Sequence, residues 1–219
     1  MARKTTFTRE DVVAAALRVI DQEGLGALSA RRVAEAMKAS TAPVYSNFAN
    51  MDELLAVVMD AAATSVLEYC RRPWSDDEFL NMGLGFVHFA VDHPRLFRAM
   101  YLESRLGKEN DGRVESGLLD DLARHTLLGQ LPEDHREELL FQASIYTLGI
   151  ATTVVTGLWD EPDLATVESW LRSVGGLLVG AAVESAGLAV PDGTFAMTED
   201  FVVPWRHRRC SNAEEDHEG

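Results

Sequence analysis

The sequence predicts an all-α protein in which a small three-helix unit is joined to a larger helical bundle. Apolar residues recur at helical spacing in one segment after another along the 219 residues. Glycine and proline, as at Gly24 and Pro73, separate those segments. No segment alternates apolar and polar residues for long enough to predict a sheet.

The first two helices are predicted from signals at their ends. Thr8 begins the first helix, with Asp11 placed to complete a capping box, and Gly24 ends it. Ser29 precedes the second helix as an N-cap, because its hydroxyl can accept a hydrogen bond from the first turn. Together with a third helix they are expected to share a core, formed by Leu17, Ile20, Leu28, Val33, Met37, Val44, Tyr45 and Phe48.

The third helix follows a tight break after Lys38. Ser40 or Thr41 can cap it, and Pro43 falls in its first turn, where a missing N–H costs nothing. Two short helices joined by a tight turn are typical of a helix-turn-helix, whose second helix enters the DNA major groove. The small residues that begin this helix would allow a close approach to the bases. An ordinary helical hairpin has the same spacing, so spacing alone leaves both interpretations open.

A longer pattern carries a resemblance to a known family. Tyr45 and Phe48 are followed by Glu53-Leu54-Leu55, and Ala34 precedes Tyr45 by eleven positions. Over about residues 8–58, the sequence resembles the N-terminal domain of TetR-family transcriptional regulators. The resemblance implies a dimeric regulator that binds operator DNA.

Two positions depart from the family pattern. Lys38 stands in the turn where the family usually has glycine, and a lysine is expected to avoid positive φ there unless the turn geometry changes. Met51 stands where the family usually has a lysine that contacts phosphate. Lys38 could replace that missing phosphate contact.

The candidate DNA contacts lie in a polar N-terminal arm and in the helix-turn-helix. The net charge of the whole chain is −15, but residues 1–50 hold seven Lys/Arg against five Asp/Glu. A small positive face on an acidic body can still bind phosphate. The arm could equally be a frayed terminus. The candidates are Arg3, Lys4, Ser29, Arg31, Lys38, Ser40, Thr41, Ala42, Pro43, Tyr45, Ser46 and Asn47.

The remaining helices are predicted to form one bundle. A fourth helix begins at Asn50 or Met51 and continues to Arg72, long enough to join the two parts rigidly. The helices that follow are expected over about 76–93, 95–102, 113–128, 132–158 and 163–186. The predicted domains are therefore a helix-turn-helix domain over 1–50, a ligand-binding and dimerisation domain over 51–190, and a flexible tail over 191–219.

Aromatic and sulfur-containing residues of the middle helices suggest an interior pocket, although such stripes also occur in ordinary packed cores. Its polar groups would include His88, Tyr101, Tyr146 and Thr152. The resemblance implies that a small, largely apolar effector binds there, shifts the fourth helix and releases the operator. The candidate pocket residues are Phe86, His88, Phe89, Phe97, Met100, Tyr101, Phe141, Tyr146 and Trp159.

The last two helices are candidates for a two-fold interface between subunits. A dimer would pair two half-sites ~34 Å apart, or a multiple of that distance. Close packing inside one subunit is the alternative for the same stripe. The candidate interface residues are Thr152, Val155, Thr156, Leu171, Val174, Leu178, Ala181, Ala182 and Ser185.

Catalytic and metal-binding classes lack support in the sequence. The six histidines and two cysteines show no zinc spacing, and no nucleophile-elbow, phosphate-loop or dinucleotide motif is present. We therefore expect no enzyme activity, cofactor or metal. The start of the chain does not resemble a signal peptide, and no segment is expected to span a membrane, which predicts a cytoplasmic protein. The alternative is an all-α small-molecule binding protein or enzyme whose helix-turn-helix no longer binds DNA.

Overall fold

The computed structural model describes residues 7–103, 112–159 and 163–189, and within these ranges the protein is helical with no strand. A π-helical turn over Ala99–Glu103 directly follows the sixth helix. The all-α prediction is confirmed. The helices are α1 (Arg9–Glu23), α2 (Ala30–Met37), α3 (Ala42–Asn47), α4 (Met51–Cys70), α5 (Glu78–Asp92), α6 (Pro94–Arg98), α7 (Arg113–Arg124), α8 (Glu133–Val155) and α9 (Leu164–Ser185).

Side-chain caps begin several helices where the sequence predicts them. Thr8 and Asp11 form the full capping box of α1. The Ser29 hydroxyl accepts from the backbone N–H of Arg32, and Asn50 caps α4 in the same way. α3 differs, because Thr41 precedes it without a side-chain cap bond and Pro43 occupies the first turn.

One continuous apolar core runs through the three-helix unit and the bundle. Ile20 of α1, Val58 of α4 and Phe89 of α5 are each 0% exposed and belong to it. A smaller apolar cluster lies between α5, α8 and α9 and includes Val87 and Val167. The domain boundaries at residues 50 and 190 stay predictions, and the tail over 191–219 lies outside the described residues.

A glycine brings α4 and α5 together. A Cβ at Gly85 would lie 2.2 Å from the backbone carbonyl oxygen of Tyr69, a distance that no real side chain tolerates. Glycine is therefore required at this crossing because the two backbones touch. The indole N–H of Trp74 donates to the same Tyr69 carbonyl over 2.8 Å, which fixes the turn after α4.

Three local expectations are wrong. Tyr45 does not join the core but is 61% exposed, because Val44 and Phe48, one turn apart, take the buried face of α3. The helix expected over 95–102 divides into α6 and the π-helical turn. α7 ends at Arg124, where His125 Nδ1 accepts from the N–H groups of Leu127 and Leu128.

α8 also departs from the expectation that no segment could span a membrane. By length and composition it is apolar enough to do so, with a mean hydropathy of 1.3 over its most apolar window. One such helix is weak evidence for a span, because core helices of soluble proteins meet the same criterion. α8 packs against α5 and α9 in this structure.

Candidate nucleic-acid interface and interior site

The turn between α2 and α3 keeps its tight geometry although it contains a lysine. Lys38 adopts φ +53° and ψ +43°, the left-handed conformation, and is the one non-glycine residue with positive φ in the described ranges. The expectation that a lysine would avoid this conformation is wrong. The left-handed backbone costs a non-glycine residue about 1–2 kcal/mol. The surrounding hydrogen bonds hold it, since the Lys38 N–H donates to the Glu35 carbonyl over 3.0 Å.

The start of α3 presents a small, polar and exposed surface. Ser40, Thr41 and Ala42 are all exposed, with no large side chain among them. Tyr45 follows one turn later, and its exposure leaves the hydroxyl accessible for a phosphate. This surface has the shape that a recognition helix needs at a major groove, because small side chains allow the backbone to approach base edges.

The cations beside this surface differ in how they are paired. Arg31 is 86% exposed and donates to Glu35, and Arg32 pairs with both Glu35 and Glu23. Hydrogen bonds from Arg31 and then Arg32 lower the pKa of the Glu35 carboxyl. Lys38 has no ion-pair partner among the described residues, so its charge is available to a phosphate. Arg3 and Lys4 lie outside the described residues.

Three of the residues predicted to contact DNA also have hydrogen-bond partners within the chain. The side-chain amide of Asn47 donates to the Pro43 carbonyl over 2.8 Å, and the residue is partly buried. The Ser46 hydroxyl donates to the same carbonyl over 3.0 Å but stays exposed. Ser29 uses its hydroxyl as the α2 cap. Asn47 therefore stabilises α3 through this hydrogen bond, and its contact with DNA stays a prediction.

Arg9 fixes the far end of α3 and was not expected to have this role. Its guanidinium donates to the Asn47 carbonyl over 2.6 Å, pairs with Glu53 at 2.8 Å and lies 4.1 Å over the ring centre of Phe48. The hydrogen bond from Arg9 lowers the pKa of Glu53. One side chain thus joins α1 to the end of α3 and the start of α4. Arg9 and Glu53 are 44 residues apart, so no local pattern could pair them.

α6 is a short bracket between the three-helix unit and the bundle. Arg95 donates to the Gln22 carbonyl in the last turn of α1 over 2.6 Å. Arg98, one turn later, donates to the Val155 carbonyl at the end of α8 over 3.1 Å. Each cation meets a helix C-terminus, where unpaired carbonyls and the helix dipole favour positive charge. Motion of α6 would therefore displace the C-terminal end of α1.

A second polar link lies beside the first. His93 Nδ1 lies 3.1 Å from the Asp21 carboxylate of α1, and its Nε2 lies 3.2 Å from the Tyr69 hydroxyl of α4. That hydroxyl donates to Asp92 over 2.9 Å. The hydroxyl oxygen therefore contacts both the Asp92 carboxylate and the His93 ring. The network joins α1, α4 and the end of α5.

The predicted pocket residues do not form one group. Phe86, Phe97 and Tyr101 make a triangle of rings, with centroids 4.9 to 5.5 Å apart. The Tyr101 hydroxyl is buried and has no hydrogen-bond partner in the described residues. A buried polar group without a partner lowers the free energy of unfolding by about 1–3 kcal/mol. Phe89 packs instead against the rings of Tyr69 and His93, and Met100 packs on the main core.

The remaining pocket candidates lie elsewhere. His88 stacks on Trp74 with ring centroids 3.7 Å apart, and burial lowers its pKa. Tyr146 and Trp159 pack on the second apolar cluster. Phe141 is 62% exposed on the outside of α8 and lines no interior site, because its face of the helix points away from α5 and α9. The sequence showed that these helices are rich in aromatic residues. It could not show which side of each helix faces the interior.

An exposed apolar face on α8 and α9 includes residues that the sequence interpretation missed. Ile145 is 58% exposed one turn after Phe141, and Leu177 of α9 is 55% exposed. Of the predicted interface residues, Thr156, Ala181 and Ser185 are exposed. The remaining interface candidates, apart from Leu171, are half-buried: Thr152, Val155, Val174, Leu178 and Ala182.

Leu171 is a correction to the predicted interface. It is 6% exposed because its side chain packs in the second apolar cluster between α5, α8 and α9. It therefore faces the interior of its own subunit. The i, i+4 spacing of Phe141 and Ile145 was the sequence signal for the outer face.

Comparisons with known proteins give a family match over part of the chain and several similar solved structures. Residues 12–58 match the family model described as bacterial regulatory proteins, tetR family. The solved structures similar to the chain include the crystal structure of Mycobacterium smegmatis AmtR, with 17% identity and a TM-score of 0.45, covering 87% of this chain and 99% of that one. No functionally curated protein matches the sequence. Within the described ranges, no cluster of three or more His, Cys, Asp or Glu could hold a metal ion.

Proposed function

We propose that the chain, whose residues 12–58 match the tetR family model, is a dimeric DNA-binding repressor that a small, largely apolar effector releases from its operator. The observation that supports DNA binding best is the α2–α3 surface. Its left-handed turn at Lys38 directs α3 outward, and Ser40, Thr41 and Ala42 lie exposed at the start of that helix. Such a regulator works in the cytoplasm, where its DNA is.

DNA binding is tested by titration of the full chain against the intergenic duplex beside its own gene. A scrambled duplex of equal length is the control, at ~50 and ~200 mM salt. We expect specific binding that saturates at an even number of subunits and weakens by orders of magnitude at the higher salt. Equal binding to both duplexes would leave either an operator elsewhere or a helix-turn-helix that no longer reads DNA.

Dimerisation is proposed through the exposed face of α8 and α9. Phe141, Ile145 and Leu177 are large apolar side chains left exposed on two long helices. Burying them against a second copy removes apolar surface from water, at roughly 25 cal/mol per Å². A two-fold arrangement also places two recognition helices on one face of the DNA. Two helices are needed because a single helix-turn-helix binds DNA weakly.

Effector release is proposed to act through α6 and α4. The bracket of Arg95 and the His93–Asp21 contact join the bundle to α1, and α4 itself continues from the DNA unit into the bundle. A ligand that favours a displaced α6 would therefore disfavour the DNA-bound arrangement of α1. The coupling must be reciprocal, so operator DNA weakens effector binding by the same factor. Equal effector affinity with and without operator would contradict this coupling.

A further inference from the structure

The Tyr101 hydroxyl is exceptional among the polar groups that the structure describes. Its oxygen is buried, and no group in residues 7–103, 112–159 or 163–189 accepts from it or donates to it. Buried hydroxyls in folded proteins nearly always have a partner, because the transfer from water without one is unfavourable. A ligand with an acceptor oxygen would supply the partner that this buried donor lacks.

The side chains that pack on the ring of Tyr101 are aromatic and apolar. The ring of Tyr101 lies 5.1 Å from that of Phe86 and 4.9 Å from that of Phe97, which is itself 0% exposed. Burial raises the pKa of Tyr101 above its ordinary value, so the hydroxyl keeps its proton and acts as a donor. Burial also raises the pKa of Cys70 to about 12, which keeps that thiol neutral.

The charged group whose field reaches Tyr101 most strongly is the Glu115 carboxylate, and it raises the pKa of the hydroxyl further. An anionic ligand is disfavoured here, because an ionised group would lose its hydration among these aromatic rings. The hydroxyl instead calls for an acceptor without charge, such as a carbonyl or ether oxygen. The three aromatic rings call for an apolar remainder.

The backbone around Tyr101 also sets it apart. It lies at the centre of the π-helical turn Ala99–Glu103, and such turns are rare and frequent at functional sites. This turn continues α6 without a break, and α6 carries Arg95 and Arg98 to the ends of α1 and α8. A ligand held at Tyr101 would therefore act on the segment that contacts the DNA unit.

We propose that the Tyr101 hydroxyl is the polar anchor of the effector site and that the effector is a neutral, largely apolar molecule with one acceptor oxygen. This inference rests on the proposed function, in which the bundle binds an effector. The Tyr101 hydroxyl donates a hydrogen bond to the acceptor oxygen, and the apolar part packs against Phe86 and Phe97.

The test uses two matched probe series, phenyl alkyl ketones from acetophenone to octanophenone and alkylbenzenes of equal length. Affinity for the full chain is measured by calorimetric titration, with benzoate as an anionic probe. The wild-type protein is expected to bind the best ketone about tenfold more tightly than its hydrocarbon partner, and benzoate more weakly than either. Tyr101→Phe removes only the hydroxyl, so the two series should then bind within about twofold of each other.

The matched control is Tyr146→Phe, which removes a partly buried hydroxyl from the other apolar cluster. It should leave the tenfold preference unchanged. A thermal melt shows whether each variant is folded, and Tyr101→Phe should melt no lower than the wild type because no hydrogen bond is lost. Three results would overturn the proposal: no binding by any ketone, no preference in the wild type, or a preference that survives in Tyr101→Phe.

The same protein samples distinguish this inference from the proposed function. Specific DNA binding without a ketone preference would contradict the role of Tyr101 as the anchor and would still support the regulator proposal. A hydroxyl-dependent ketone preference without any specific DNA binding would support the anchor and contradict the repressor.

Discussion

At the residue scale, Lys38 combines a strained backbone with an unpaired charge. The left-handed conformation ends α2 at the angle that α3 needs, and glycine would adopt it without a steric penalty. The lysine charge, in contrast, has no partner in the described part of the chain and lies next to the exposed start of α3. We propose that this position exchanges some stability for an electrostatic contact with DNA.

Lys38→Gly should separate the two effects. We expect the free energy of unfolding to rise by about 0.5–1 kcal/mol as the strain is relieved, less than the full penalty because glycine is more flexible when unfolded. The slope of log affinity against log salt should fall in magnitude by about 1 as one phosphate contact is lost. Denaturant titration measures the free energy of unfolding, and DNA titration at several salt concentrations measures the slope. Lys38→Arg, which keeps the charge, should retain the wild-type salt slope; a loss of stability in the glycine variant would refute the strain argument.

Gly85 is the second critical residue, because the α4 backbone occupies the space of its missing Cβ. Gly85→Ala should lower the free energy of unfolding by about 3 kcal/mol or more, since two helices must separate to admit one methyl group. Gly26→Ala is the control, with open space around the new methyl. It should change stability by no more than about 0.5 kcal/mol. Similar melting curves for the two variants would show that α4 and α5 do not cross this closely.

At the element scale, helix starts were predictable from sequence and the relations between helices were not. Ser29 and Asn50 bond to N–H groups three residues away, so the pattern contains both partners. Arg95 and Gln22 are 73 residues apart, and nothing local pairs them. The same limit explains Phe141: helical spacing showed an apolar face on α8 but could not show which neighbours would cover it.

The α6 bracket gives a prediction at this scale. Arg95→Ala should speed amide hydrogen exchange in the last turn of α1 about fivefold, because one charge-assisted hydrogen bond to its C-terminal carbonyls is lost. Arg98→Ala is the matched control on the same short helix, and it should speed exchange in the last turn of α8 instead. Hydrogen exchange followed by mass spectrometry resolves the two segments. Identical exchange patterns in both variants would mean that α6 does not act as a bracket.

At the scale of the whole molecule, charge and oligomeric state must act together. The chain carries a net charge of −15, so the acidic body repels phosphate and leaves the N-terminal surface as the place where DNA can approach. The α2–α3 surface of one subunit has few unpaired cations, so we expect it to bind DNA weakly. A dimer links two such surfaces, which can raise the overall affinity by 10²–10⁴-fold without any new kind of contact.

Phe141→Glu should therefore weaken both assembly and DNA binding. A charge at the centre of the exposed α8 face should convert dimers to monomers in sedimentation velocity and reduce DNA affinity by about 100-fold. The control is Leu158→Glu, which introduces the same charge at a residue 71% exposed beyond the end of α8. That variant should stay dimeric. If Phe141→Glu also stays dimeric, the interface lies elsewhere.

The measurement that tests the central claim most directly is selection of DNA sites by the full chain from a random-sequence pool. The proposed dimeric regulator should enrich an inverted repeat whose half-site centres are about one helical turn apart, or a multiple of it. Binding to the enriched site should weaken steeply with salt. Sequences indistinguishable from the starting pool after repeated rounds would contradict DNA recognition by α3.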